Sequence, residues 1–146
     1  MLRGVHLKVG LLLSTLLAIF LTSAQLPADA KNVDSDKVLV VLLHAQSCRT
    51  WCKEVRPVLE EIKKDYKDEK VVIHELDITD EQLPDTKDLA KKLGVASFIP
   101  AAMDSVPCVG IFTPERRLVG ELTGPQKKST YKKYIDRALK EAKKGA

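Results

Sequence analysis

Six apolar residues in a row, Val38 to Leu43, stand between polar stretches and are too few for an independent helix. A run of this length, rich in Val and Leu, suits a strand buried on both faces of a parallel sheet. Downstream, Val55, Val58, Leu59, Ile62 and Tyr66 recur at spacings of three, four and seven, which predicts a helix turning one stripe toward a core. Pro57 falls inside that pattern; it lacks an amide donor and its ring crowds the preceding turn, so a bend is expected. Val71 to Leu76 reads as a second strand, and the strand–helix–strand order implies a right-handed parallel crossover. Pro84 and Asp85 open a shorter helix with Leu89 and Leu93 on one side and Gly94 as its stop. Residues 96–105 (ASFIPAAMDS) show no clear period. Val106 to Phe112 and Leu118 to Leu122 are two strands whose short link, Thr113-Pro114-Glu115-Arg116, favours an antiparallel hairpin. The last helix places Tyr131, Tyr134, Ile135, Ala138, Leu139 and Ala142 on one face and basic residues opposite, as a helix packed on a sheet does. The sum is an α/β fold in the order β-α-β, then α, then β-β-α: a four-stranded mixed sheet with helices on both faces.

The chain has 146 residues, room for one domain. Its 45% hydrophobic and 30% charged content is ordinary for a globular protein, which argues against disorder. Residues 1–24 (MLRGVHLKVGLLLSTLLAIFLTSA) carry Arg3 and Lys8, an apolar run from Val9 to Leu21, then small residues. That is the order of a signal peptide, and the run is shorter than the roughly 20 residues a membrane span needs. Membrane contact is therefore expected only through this segment if it is not cleaved. The expected organisation is 1–24 signal peptide, 25–36 polar linker and 37–146 folded domain, exported to the periplasm or secreted. Removing Arg3 and Lys8 leaves 24 − 2 = 22 basic against 20 acidic residues, too small an excess to argue for nucleic acid. Export places the cysteines in an oxidising compartment, where they tend to be paired or catalytic.

Cys48-Arg49-Thr50-Trp51-Cys52 follows the first buried strand and opens the first long helix. Amides and the dipole at a helix N-terminus stabilise negative charge, so a cysteine placed there favours its reactive thiolate. One helical turn apart, two cysteines come within about 6 Å at their Cα atoms, inside the range for a disulfide. The pair can cycle between dithiol and disulfide without unfolding.

At this point the sequence resembles the thioredoxin superfamily over residues 37 to 143. VLVVLLHAQSC looks like the strand leading to the family's first active cysteine. Cys52-Lys53 followed by Pro57 resembles its second cysteine, lysine and helix-kinking proline. Leu93-Gly94-Val95 and Val106-Pro107 look like its short motif and its cis-proline, which lies beside the cysteine pair. The resemblance implies a thioredoxin-like fold and a thiol–disulfide oxidoreductase needing no cofactor, with Cys48 as nucleophile, Cys52 as resolving thiol and Pro107 shaping the substrate groove. Its partners would be protein disulfides and an unidentified redox protein.

The sequence departs from the family at three places. The spacer between the cysteines is three residues where two are usual. The buried acid that thioredoxins carry six residues before the first cysteine is Leu42 here; Glu75 is a candidate substitute proton acceptor, with an exposed or paired strand glutamate as the other reading. The interval before Val106-Pro107 is long, so residues 96–105 form either a wall over the site or a plain insertion. Cys108, next to Pro107, reads as a buried small side chain, an alternative disulfide partner or a third thiol ligand. His44, four residues before Cys48, is packed near the site or titrates there as a base or ligand; His74 reads as structural, and Trp51 as an apolar surface facing substrate or as packing at the helix start. The three-residue spacer also resembles that of Sco-type copper chaperones, which makes a soft-metal carrier using Cys48, Cys52 and either Cys108 or His44 an alternative. A structural module locked by its disulfide is a further one.

Overall fold

The computed structural model describes residues 32–145; residues 1–24, expected to be a signal peptide, and most of the polar stretch after them lie outside these residues. Strand β1 (Val38–His44) is buried at all seven positions. It lies between β2 (Val71–Asp77), parallel, and β3 (Cys108–Phe112), antiparallel, with β4 (Leu118–Thr123) antiparallel beyond β3, in the order β2-β1-β3-β4. This is the expected four-stranded mixed sheet. An unbroken apolar run is needed in β1 because successive side chains leave opposite faces of a strand that is covered on both.

Val38, Val40 and Leu42 point into one core with Val55, Leu59 and Ile62 of α1 (Arg49–Asp65) and Tyr131 and Ile135 of α4 (Lys128–Gly145). Leu39, Val41 and Leu43 point into the other, with Leu93 of α2 (Leu83–Leu93) and Phe98 and Ile99 of α3 (Phe98–Ala102). Each fully buried Leu or Ile stabilises by roughly 1.5–3 kcal/mol relative to an exposed one. α2 ends at Gly94, whose φ of 76° is left-handed, a conformation that costs a glycine nothing.

Two boundaries differ from the sequence reading. The strand expected from Val106 begins at Cys108, because Pro107 has no amide to donate to a ladder. Residues 96–105 are neither irregular nor a wall over the cysteines: they form α3 and a single 3-10 turn, Met103–Ser105, and Phe98, Ile99 and Ala102 are buried under the sheet. A five-residue helix is too short to display a period. At the far end, residues 32–36 at the close of the polar stretch make fixed contacts: the Val33 amide donates to the Lys92 carbonyl (2.9 Å), and His74 Nε2 lies 3.2 Å from Asp34 Oδ2.

Under α3, the backbone of β3 comes so close that a Cβ on Gly110 would sit 2.7 Å from Phe112 Cε2 and 2.8 Å from Phe98 Cζ. Those two rings meet edge to face, 5.4 Å between centroids. Gly110→Ala is therefore expected to cost about 2 kcal/mol by overpacking, read as a lowered urea midpoint with an unchanged slope.

Candidate active site

Cys52 lies on the buried stripe of α1, in register with Val55, Leu59, Ile62 and Tyr66, and is 3% exposed. Cys48 continues the same helical row one turn earlier, as the residue capping α1 where the helix passes the end of the sheet, and is half-buried. The Cys48 amide donates to the Ala45 carbonyl at 2.9 Å, fixing the turn that delivers β1 into α1. The first turn of α1 holds no acidic residue, so nothing there opposes the attraction of the helix N-terminus for negative charge. All three cysteines are free thiols.

Cys48 lies close enough to Cys52 to act on its thiol. Burial, then the hydrogen bond and charge of Cys48, push the Cys52 thiol up to about 12; Arg56 pulls it down and Glu75 adds to the rise. Cys52 therefore keeps its proton at neutral pH. An accessible sulfur and a buried, protonated one in contact with it is the asymmetry that stepwise disulfide exchange needs.

Cys48 opens onto two clefts. One, of about 370 Å³, is lined by Ser47, Cys48, Thr50, Trp51 and Val106. Trp51 is 54% exposed there. The Val106–Pro107 peptide bond is cis, and the Pro107 carbonyl accepts from the Gly124 amide at 2.8 Å. The other cleft, of about 540 Å³, is polar; His44, Cys48, Cys52, Lys53, Arg56 and Asp77 are among its walls. No residue of 96–105 lines either one.

The remaining candidates separate. His44 closes β1 and shares a strand face with Leu42; its ring is almost buried, with Arg56 Nη2 at 3.4 Å from Nδ1 and 3.3 Å from Nε2. Burial, then the neighbouring Arg56 cation, lower its pKa, against the opposing pull of Asp77 and Glu75. Glu75 is paired across the sheet with Leu42 and is held by Arg56 Nε at 3.0 Å. Cys108 is fully buried in the second core and lines neither cleft. Burial, then the charge of Glu121, push its thiol up to about 11. Among the described residues no three His, Cys, Asp or Glu side chains converge as a metal site; Cys48, Cys52 and His44 share the walls of the polar cleft, and Cys108 lies apart in the second core. His74 meets Asp34 far from the cysteines in the sequence and outside both clefts.

Arg56, Asp77 and Thr79 line the polar cleft and were not singled out in the sequence. Arg56 carried a signal, since it sits one turn after Cys52 on the same row. Asp77 needed the strand register, which sets it opposite His44.

A sequence model of the thioredoxin family, described as "Thioredoxin", matches residues 20–137. The chain belongs to the thioredoxin family. Two solved structures share this thioredoxin fold. A thiol:disulfide interchange protein of the thioredoxin family from Chlorobium tepidum TLS is 19% identical, with a TM-score of 0.52 over 73% of this chain and 82% of that one. A protein from Chlorobium tepidum assigned provisionally as the thiol:disulfide interchange protein DsbE is 13% identical, with a TM-score of 0.56 over the same shares. At these identities the likeness is one of fold. No curated protein matches the chain in sequence.

Proposed function

We propose that this thioredoxin-family protein is a thiol–disulfide oxidoreductase acting on protein disulfides after export. The observation that carries the reading is the contact between an accessible Cys48 at the start of α1 and a buried, protonated Cys52 one turn later. The Cys48 thiolate attacks one sulfur of a substrate disulfide, forming a mixed disulfide and releasing the other sulfur as a thiolate. Cys52 then attacks the Cys48 sulfur and frees the second. The cleft between Trp51 and Val106, beside Pro107, is where the substrate chain would lie, with an exposed aromatic ring for its apolar side chains. Both electrons reside in the sulfur bonds, so the chemistry asks for no cofactor, but a second redox protein is required to reset the pair. The apolar leader, residues 1–24, supports export to the periplasm or beyond, and residues 37–146 are taken as the working domain.

Incubated with a mixture of disulfide-bonded exported proteins, Cys52→Ala should accumulate covalent complexes that dissolve on adding a reductant. Cys48→Ala should accumulate none, and Cys108→Ser in the Cys52→Ala background should leave the trapping intact. Equal trapping by the Cys48 and Cys52 variants would contradict the assigned roles. The couple should also titrate above about −300 mV, because bonds below that level resist physiological reductants and serve structure instead.

A further inference from the structure

We propose that His44 accepts the proton of Cys52, through solvent in the polar cleft, when Cys52 resolves the mixed disulfide. The proposal rests on the exchange reading above and assigns it a positioning residue outside the cysteine pair. The problem it addresses is physical: a buried thiol must lose its proton to act as a nucleophile, and the residue beneath it in the sheet, Leu42, is apolar and fully buried.

Three groups meet on the α1 face of the sheet end, His44, Glu75 and Asp77; His44 and Asp77 line the cleft, as does Glu81 from beyond the sheet. Glu75 is tied up, its carboxylate bound by Arg56 Nε at 3.0 Å. Asp77 is a weak base: burial works to raise it, but the Thr79 hydroxyl (2.6 Å) and amide (2.9 Å) donate to its Oδ1 and hold it below the usual carboxylate range. That leaves His44, whose walls with Cys48 and Cys52 enclose one cleft of about 540 Å³. A polar space of that size holds several waters. The groups facing the imidazole are Arg56 and Lys53 from α1, Glu75 and Asp77 from β2, and Glu81 across the cleft. Burial and then the Arg56 cation lower the ring's pKa and favour its neutral form, and Arg56 Nη2, near-equidistant from the two ring nitrogens at 3.3 and 3.4 Å, holds neither as closely as Arg56 Nε holds Glu75 at 3.0 Å. Once protonated it meets Glu75 Oε2 at 3.4 Å from Nε2 and Asp77 Oδ1 at 4.0 Å from Nδ1, two anions placed to receive an imidazolium.

The step balances. The Cys52 proton passes to His44. The Cys52 thiolate forms the Cys48–Cys52 bond while the bond from Cys48 to the substrate sulfur breaks, and the electron pair leaves on that sulfur. The imidazolium then returns its proton through the same solvent to the departing thiolate or to bulk water. Over the whole reaction the dithiol gives two electrons to the substrate disulfide.

The test mixes reduced full-length protein, in a Cys108→Ser background, with one equivalent of an aromatic disulfide that releases a coloured thiolate. The first release reports attack by Cys48 and the second reports resolution by Cys52. In the parent the second release should have an acid limb with its midpoint below 6.5, the ordinary value for histidine. His44→Gln should slow the second release about 10²-fold relative to the first and abolish the limb, and added imidazole should partly restore the rate of His44→Ala. Arg56→Gln keeps the histidine and removes the cation that disfavours its charged form, so its limb should move to higher pH; this variant decides the matter if His44→Gln does not fold. A His44→Gln second release with the parental rate and limb, or an Arg56→Gln limb that stays put, overturns the proposal. A parent that gives no second release overturns the exchange reading itself.

Discussion

Leu42→Asp is expected to destabilise the protein by about 5 kcal/mol at pH 7 and by only about 2 kcal/mol at pH 3.5. Leu42 has no exposed surface and sits among Val40, Val55, Leu59 and Val109. The pH-independent part is the lost packing and the burial of a polar group. The rest is ionisation. A carboxyl in that core has a folded pKa raised above its unfolded value of roughly 3.9, so the folded state binds the proton more tightly. Stability is therefore fully present below the unfolded pKa and falls as pH rises, by about 1.4 kcal/mol per unit, until the folded pKa is passed. Urea titrations of parent and variant at several pH values measure the difference. Leu42→Asn gives the control, with a similar packing loss and no slope. A flat difference for Leu42→Asp would mean that water reaches the position, and the claim of a dry core behind Cys52 would have to be abandoned.

Arg116→Ala should cost about 3 kcal/mol, with the loss seen equally by urea and by heat. Arg116 lies in the hairpin between β3 and β4, yet its guanidinium donates to three backbone carbonyls from three other segments: Leu93 at 2.7 Å, Lys37 at 3.0 Å and Val33 at 2.7 Å. It thus joins the end of α2, the entry to β1 and the segment before it. Hydrogen bonds from a charged donor are worth about 1.5–3 kcal/mol each, less when water replaces part of them. Arg116→Lys should recover little, because one ammonium cannot reach three carbonyls in fork geometry. The residue also has a φ of 65°, which a side chain resists, so Arg116→Gly should be more stable than Arg116→Ala by about 0.5–1 kcal/mol. Were alanine and glycine to differ in the opposite sense, backbone strain at this turn would be the wrong explanation.

The sheet was legible because β1 is buried on both faces and therefore has no polar position to break its run, and because α1 and α4 each turn a long stripe to the same core. The helix of Phe98–Ala102 was not, since five residues span little more than one turn and leave no period to count. At the site, the cysteines, Pro107 and Trp51 were visible as a motif. Of the charged cluster behind them His44 and Glu75 were candidates one by one, but Arg56 and Asp77 were not, because these groups lie on three elements and are neighbours only through the parallel register of β1 on β2 and the docking of α1. Arg116 escaped for the same reason: a hairpin arginine reads as solvated charge until the chain folds its backbone partners around it.

Because Cys48 continues the row of α1 side chains that includes Cys52, Leu59 and Ile62, the reactive end of the protein is an overhang of its own interior. The spacing between the sulfurs is inherited from how that row beds against β1, not negotiated by a loop. A pair mounted in this way can gain and lose its bond while the rest of the molecule stands still, and drift among family members in the packing of the interior would retune the chemistry without altering a residue that touches substrate.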